Sequence, residues 1–328
     1  MELCPHIQKH LDEIDRMVAS RLGAEDESVY GIIAPFLKRG GKKLRPALCL
    51  LSCGIAGGKY QSAVESAAII EIVHNVTLIH DDIEDGSKFR RGEPTMHSTY
   101  GMPTAMNSGD ALYNFAWDWM LSLPQPAERI LKLQRMYAGH VKRMVLGQGM
   151  EIMWRREGRF NIGEREYLEM VIGKTASLME LSCGAGAFFA DAGQGMSSRL
   201  SSFGRKLGTA FQIHDDVLNL TGDFRRYRKE IGGDIHEGKR TLMVAHCLEN
   251  ANEAERSRLK EILQSRTTDE DDIQEAIGIM KGRGSLEYAK SLARKLADEA
   301  KAALGPLEES EDKKSLLDIA DYSVSRDR

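Results

Sequence analysis

Apolar residues recur at three- and four-residue spacing over long stretches of this chain. The segments SAVESAAIIEIVHNVTLIHDDIED (62–85) and SLEYAKSLARKLADEAKAAL (285–304) show the pattern most plainly. Glycine and proline punctuate these stretches. No run alternates valine, isoleucine or threonine with polar residues, so strand signals are scarce. The pattern predicts an all-α protein arranged as a helix bundle. No low-complexity linker divides it, so a single domain over residues 1–328 is expected, with a polar end from Ser323 to Arg328 that frays.

Two of the predicted helices end alike. Leu78-Ile79-His80-Asp81-Asp82-Ile83-Glu84-Asp85 is answered by Gln212-Ile213-His214-Asp215-Asp216-Val217-Leu218-Asn219. Ile-His-Asp-Asp occurs in both, at a constant offset of 134 residues (215 − 81 and 216 − 82). Basic residues follow each copy: Arg90 and Arg91 after the first, Arg225, Arg226, Arg228 and Lys229 after the second. On a helix Asp81 and Asp85 share one face, about 5–6 Å apart at Cβ, and Asp82 is rotated roughly 100° from Asp81. Asp215 and Asn219 repeat that spacing. Like charges so placed weaken a helix, and apolar flanks make unpaired carboxylates costlier still. A divalent cation relieves the cost, since Mg²⁺ takes oxygens from one or two carboxylates plus substrate phosphates. One such motif reads as readily as a solvated acidic face; two with shared flanks do not. His80 and His214 lack cysteine partners at zinc-ligand spacing and are expected to pack beside the cavity.

Bulk composition narrows the partners. Of 328 residues, 42% are hydrophobic, enough for a substantial core. The formal charge of −4, with acids and bases interleaved, gives no nucleic-acid signature. Five cysteines (Cys4, Cys49, Cys53, Cys183, Cys247), with no Cys-x-x-Cys, suggest reduced thiols in an intracellular protein. The charged start is unlike a signal peptide, and no stretch comes near the roughly 18 apolar residues of a membrane span, so a soluble, cytoplasmic protein is expected.

Cations complete the chemistry. Gly40-Gly41-Lys42-Lys43-Leu44-Arg45-Pro46 sets three basic residues beside a glycine pair, which suits a diphosphate gripped by arginine. Gly173-Lys174-Thr175 lacks the surrounding glycines of a P-loop. Gly238-Lys239-Arg240-Thr241 is equally weak alone. Together they surround two acidic clusters with separated cations, as two metal-bridged diphosphates require.

GGKKLRP, LIHDDIEDGSKFRRGEPTMH, GKT, FQIHDDVLN and KEIGGDIHEGKRT, in that order between about residue 30 and 245, resemble the trans-isoprenyl diphosphate synthases, or polyprenyl synthetases, and geranylgeranyl diphosphate synthases among them. The resemblance implies mostly antiparallel helices around a central cavity, usually in a homodimer. It implies three Mg²⁺ per active site: Asp81, Asp82 and Asp85 for two, Asp215 with Asp216 and Asn219 for a third, and Asp234 assisting through water. Arg90, Lys174, Lys229 and Lys239 would contact the allylic diphosphate; Lys42, Arg45, His74 and Arg91 would bind isopentenyl diphosphate; Thr175 and Gln212 would face the reacting carbons. Asn219 stands where the commonest pattern has aspartate, which keeps an oxygen but removes a charge.

The implied reaction ionises the allylic C–O bond, lets the isopentenyl double bond attack the cation, and loses a proton to the departed pyrophosphate. It needs no nucleophilic side chain. Relatives that stop at C15 often carry an aromatic four or five positions before the first motif. Thr77 and Val76 stand there, so a longer product is expected, with C20 favoured over C15 or C25 and above. Tyr113, on the next helix, is the candidate floor. A terpene cyclase would leave Lys42 and Arg45 without a purpose, and a regulatory subunit would be expected to lose an aspartate motif.

Overall fold

The computed structural model describes residues 5–23, 28–221 and 232–326. They form α1 (Pro5–Leu22), α2 (Val29–Lys38), α3 (Leu44–Ile55), α4 (Tyr60–Asp85), strands β1 (Phe89–Arg90) and β2 (Glu93–Pro94), then α5 (Met96–Tyr100), α6 (Met102–Leu121) and α7 (Ala127–Arg156). There follow α8 (Glu164–Val171), a π-helical turn (Ile172–Ala176), α9 (Ser177–Phe189), α10 (Gln194–Thr221), α11 (Gly233–His236), α12 (Leu242–Asn250), α13 (Glu253–Ser265), α14 (Glu270–Gly282), α15 (Ser285–Leu304) and α16 (Glu311–Ser325). The all-α expectation holds; the strands amount to one two-residue antiparallel ribbon among the described residues.

The chain divides into two compact units. One comprises residues 1–139, 178–204 and 304–317; the other 140–177, 205–303 and 318–328.

In the first unit α4 is the central element. Ser66 to Ile70 are buried without a break, so the helix is covered on every side rather than along one stripe. Its 18-residue apolar window has a mean hydropathy of 1.3, long and apolar enough to cross a membrane by length and composition alone, but 67% of that window is buried within the protein, as in a core helix. α3 is equally covered from Pro46 to Cys53. A Cβ at Gly186 of α9 would lie 2.2 Å from the Cys49 carbonyl oxygen, so glycine lets α9 meet the α3 backbone. Cys49, Cys53, Cys183 and Cys247 are free, buried thiols; Cys4 lies outside the described residues.

The second unit is built on Trp154, Tyr167, Ile213, Val217, Leu242, Met243 and Leu259. Here α7, α8 and the π-helical turn converge through glycine. A Cβ at Gly147 would come within 2.3 Å of the Lys174 amide nitrogen, and one at Gly173 within 2.8 Å of the Arg143 carbonyl. The polar end that was expected to fray from Ser323 is instead helical through Ser325, and Arg326 is buried because it has partners to bury against, described below.

Candidate active site

In the first unit α4 delivers the acids and the ribbon delivers the cations. α4 stops at Asp85 because Gly86 takes a left-handed conformation (φ 68°), and Ser87 donates its amide to the Asp82 carbonyl at 3.0 Å. The β1–β2 turn is Arg91-Gly92, both at positive φ (55° and 83°), the geometry of a tight two-residue hairpin. It turns Arg90 back onto Asp82, whose Oδ1 accepts from Arg90 Nε at 2.6 Å. Asp82 is 1% exposed, and its Oδ2 has no hydrogen-bond partner. Burial pushes the Asp82 carboxyl above the usual range, against the pull of Arg90. Asp81 and Asp85 lie half-buried on either side of it.

The same turn places Arg91 beside the glycine-rich loop. A Cβ at Gly41 would sit 2.8 Å from Arg91 Nη2, so this guanidinium uses the space the glycine leaves. Arg45 donates from Nη1 to His74 Nε2 at 3.1 Å. Arginine can only donate, so neutral His74 carries its proton on Nδ1. That Nδ1 and Arg45 Nε are buried without partners, two donors with nothing to donate to. Burial brings Arg45 down to about 10 and lowers Arg91; burial and the neighbouring arginines hold His74 well below its ordinary range. Glu71, which sequence reasoning missed, is pushed up by burial and lies in the field of Arg45 and Arg91. Arg45, His74 and Arg91 are thus brought together, with Lys42 exposed on the adjoining loop.

Further along α4, Val76 is buried and Thr77 donates to the His74 carbonyl at 2.7 Å. Gly109 admits His80 between α4 and α6, which fits the expectation that this histidine packs. Tyr113 is half-buried with its ring edge-on to Trp117 at 5.9 Å.

In the second unit α10 spreads its acids around the helix. Asp215 Oδ1 accepts from Arg326 Nη2 at 2.9 Å, while the Arg326 guanidinium stacks over Phe211 at 3.8 Å and its carbonyl faces His214 Nε2 at 3.0 Å. Asp216 accepts from Tyr167 Oη at 2.7 Å on one oxygen and from Gln212 Nε2 at 2.7 Å on the other. Burial and the charge of Asp234 raise the Asp216 carboxyl, and these two hydrogen bonds oppose the rise. Gln212 Oε1 in turn accepts from Thr175 Oγ1 at 2.7 Å. Asn219 Oδ1 accepts from the Asp234 amide at 3.0 Å, tying α10 to α11. Lys174, on the π-helical turn, donates to buried Glu151 at 2.5 Å; Lys239 donates to Asp234 at 3.3 Å and pairs with Glu237 at 2.5 Å. Arg240 is structural, bonded to the Arg159 and Gly238 carbonyls. Lys229 lies outside the described residues.

Glu151, Tyr167, Glu237 and Arg326 were missed from sequence. Glu151 stands as a lone acid in LGQGMEIMW, and Tyr167 lies two helical turns before Lys174, so both left a faint signal. Arg326 left none. Among the described residues no three His, Cys, Asp or Glu side chains converge into a metal cage by themselves.

The polyprenyl synthetase family model matches residues 26–280. A short chain isoprenyl diphosphate synthase of Methanothermobacter thermautotrophicus is 36% identical over 100% of this chain and 99% of its own. A geranylgeranyl pyrophosphate synthetase from Pyrococcus horikoshii superposes with a TM-score of 0.92 at 33% identity, covering 99% of this chain and 98% of that one. A polyprenyl synthase from Caulobacter crescentus, crystallised with calcium and isoprenyl diphosphate, superposes with a TM-score of 0.90 at 29% identity over 98% of this chain and 96% of its own. This chain belongs to the polyprenyl synthetase family and is a prenyltransferase.

Proposed function

We propose that the protein condenses isopentenyl diphosphate with an allylic diphosphate in trans, head to tail, releases pyrophosphate, and makes mainly the C20 product, geranylgeranyl diphosphate. The observation that carries this is the pair of acidic helix segments, each with one aspartate held by an arginine: Asp82 by Arg90 and Asp215 by Arg326. Both acidic segments serve the same condensation in this reading.

Mg²⁺ fits the acids. Asp82 Oδ2 is a buried oxygen with no donor, and the lack of a complete cage among the described residues suits an ion that finishes its shell with diphosphate oxygens. Asp81, Asp82 and Asp85 would hold ions at the first acidic segment and Asp215 one at the second, and when bound these supply charge neutralisation to the leaving group. The calcium and isoprenyl diphosphate in the Caulobacter relative support the same pairing of cation and diphosphate. Arg90, Lys174 and Lys239 grip the allylic diphosphate and absorb its growing charge as the C–O bond breaks. Lys42, Arg45, His74 and Arg91 hold isopentenyl diphosphate; the unpartnered donors on Arg45 and His74 are matched to its oxygens. Thr175 and Gln212 border the reacting carbons. Val76 and Thr77 leave the elongation path open past C15, with Tyr113 as its floor. A homodimer is supported by the apolar side chains that α7 exposes, Leu131, Val145, Leu146 and Met153.

Labelled isopentenyl diphosphate, offered with dimethylallyl, geranyl and farnesyl diphosphate in turn, tests this. A dominant C20 chain, abolished by chelating Mg²⁺, is expected. Cyclic hydrocarbon products, or no product from any primer, would overturn it.

A further inference from the structure

The two adjacent aspartates of α10 are not equivalent. Neighbours on a helix point about 100° apart. Asp215 is a quarter exposed and meets the guanidinium end of Arg326. Asp216 is 8% exposed, and both of its oxygens are already taken by protein donors, Tyr167 and Gln212.

Those bonds set a direction. Gln212 turns its NH₂ toward Asp216 Oδ1 at 2.7 Å, and its amide oxygen is left facing Thr175. The single hydroxyl hydrogen of Thr175 is then spent on that oxygen at 2.7 Å. What Thr175 can turn elsewhere is only lone pairs. Tyr167 is fully buried and closes the chain at its far end, holding Asp216 so that it cannot rotate away from Gln212.

We propose that Asp216 is an anchor and not a metal ligand, and that Tyr167 is a positioning residue: together they orient Gln212 so that Thr175 presents oxygen lone pairs, and no hydrogen, to the allylic carbocation. This rests on the condensation reading above. Lone pairs preorganised at a developing cation lower its energy without reorganisation during the step, whereas a hydroxyl hydrogen there would raise it. The chain runs Tyr167 to Asp216, and Thr175 through Gln212 to Asp216, so every donor has one acceptor and the polarity has one sense.

Two variants of the full-length protein test the proposal. Tyr167→Phe keeps the ring and removes the donor. Asp216→Asn keeps the shape but introduces an NH₂, which lets the Gln212 amide reverse and sends the Thr175 hydrogen outward. Three quantities are measured: kcat and both KM values for condensation, the Kd for inorganic pyrophosphate with Mg²⁺ by calorimetry, and the melting curve. Each variant is expected to lose about tenfold to a hundredfold in kcat, as for loss of a partner that orients a residue at the reacting atoms, while both KM values and the pyrophosphate Kd stay within about twofold of the wild type. Asp215→Ala should instead weaken pyrophosphate binding. If Asp216→Asn weakened it as much as Asp215→Ala does, Asp216 would be a metal ligand and the anchor role would fail. Wild-type kcat in a folded Tyr167→Phe would equally overturn the positioning role. Should Tyr167→Phe not fold, Asp216→Asn decides by the same readouts. A wild-type protein that made no prenyl product would sink the parent reading alone, because the pyrophosphate measurement still reports on Asp216.

Discussion

Gly147→Ala is the smallest change that should separate the fold of this site from its chemistry. A methyl group there would lie 2.3 Å from the Lys174 amide nitrogen, 2.7 Å from the Met170 carbonyl oxygen and 2.8 Å from the Gly173 carbonyl carbon. Comfortable carbon contacts start near 3.5 Å, so the π-helical turn must retreat by roughly 1 Å. All three neighbours are backbone atoms and cannot rotate aside. Overpacking of this kind costs about 1–3 kcal/mol, and the upper end applies here. Replacing glycine by alanine inside a helix returns up to about 1 kcal/mol. A net loss of about 2–3 kcal/mol remains, seen as a fall of a few degrees in Tm. Activity should suffer more, because Lys174 and Thr175 ride on the displaced backbone, and a misplacement of about 1 Å can cost on the order of a hundredfold in rate. Gly149, two residues further along α7, is the internal control, since a Cβ there would meet nothing within 4 Å. Gly149→Ala should melt no lower than the wild type and turn over normally. Paired melting curves and steady-state kinetics read both effects. If Gly147→Ala matched Gly149→Ala in Tm and kcat, the close crossing of α7 and the π-helical turn would not be what positions Lys174 and Thr175.

Other consequences follow from the same geometry. His74 is held neutral by burial and nearby arginines, so below about pH 6.5 the unfolded chain takes up a proton that the folded protein declines, and stability falls on acidification. His74→Gln should flatten that acid limb; an unchanged curve of unfolding midpoint against pH would count against the buried neutral histidine. Lys42→Ala should raise KM for isopentenyl diphosphate about tenfold to a hundredfold and Lys239→Ala that for the allylic substrate, the cost of a charge-assisted contact; the opposite pattern in initial-rate kinetics would exchange the two sites. Val76→Phe should shift the products toward C15 on chromatography of the dephosphorylated chains, since a ring replaces a buried branched side chain, and an unchanged distribution at normal activity would remove this turn of α4 from the elongation path.

Much of this site could be read from sequence because the chemistry repeats itself. The Ile-His-Asp-Asp echo marked α4 and α10, and charge clustering marked the loop before α3 and the Arg90-Arg91 turn. The helical period carried the fold class. What stayed hidden depends on contacts between distant residues. Arg326 and Asp215 are 111 positions apart, Tyr167 and Asp216 are 49 apart, and nothing in either neighbourhood names the other. Ser323 to Arg326 looked like a polar end because polarity alone does not reveal a buried partner. Glycines in helices were equally mute: Gly147 and Gly149 are indistinguishable in LGQGM, yet one abuts backbone and the other open space. Composition is ambiguous for α4 for a related reason, since a helix covered by protein on every side has the composition of one covered by lipid.

The central claim, that both acidic segments serve one Mg²⁺-dependent condensation, is tested most directly by the rate at which labelled isopentenyl diphosphate enters prenyl product. Wild-type protein, Asp81→Ala and Asp215→Ala would be compared at saturating Mg²⁺, with circular dichroism confirming that each is folded. Each substitution alone should cut the rate by about a thousandfold or more, because a lost ligand removes stabilisation where leaving-group charge develops. Turnover within about tenfold of the wild type in either folded variant would contradict it.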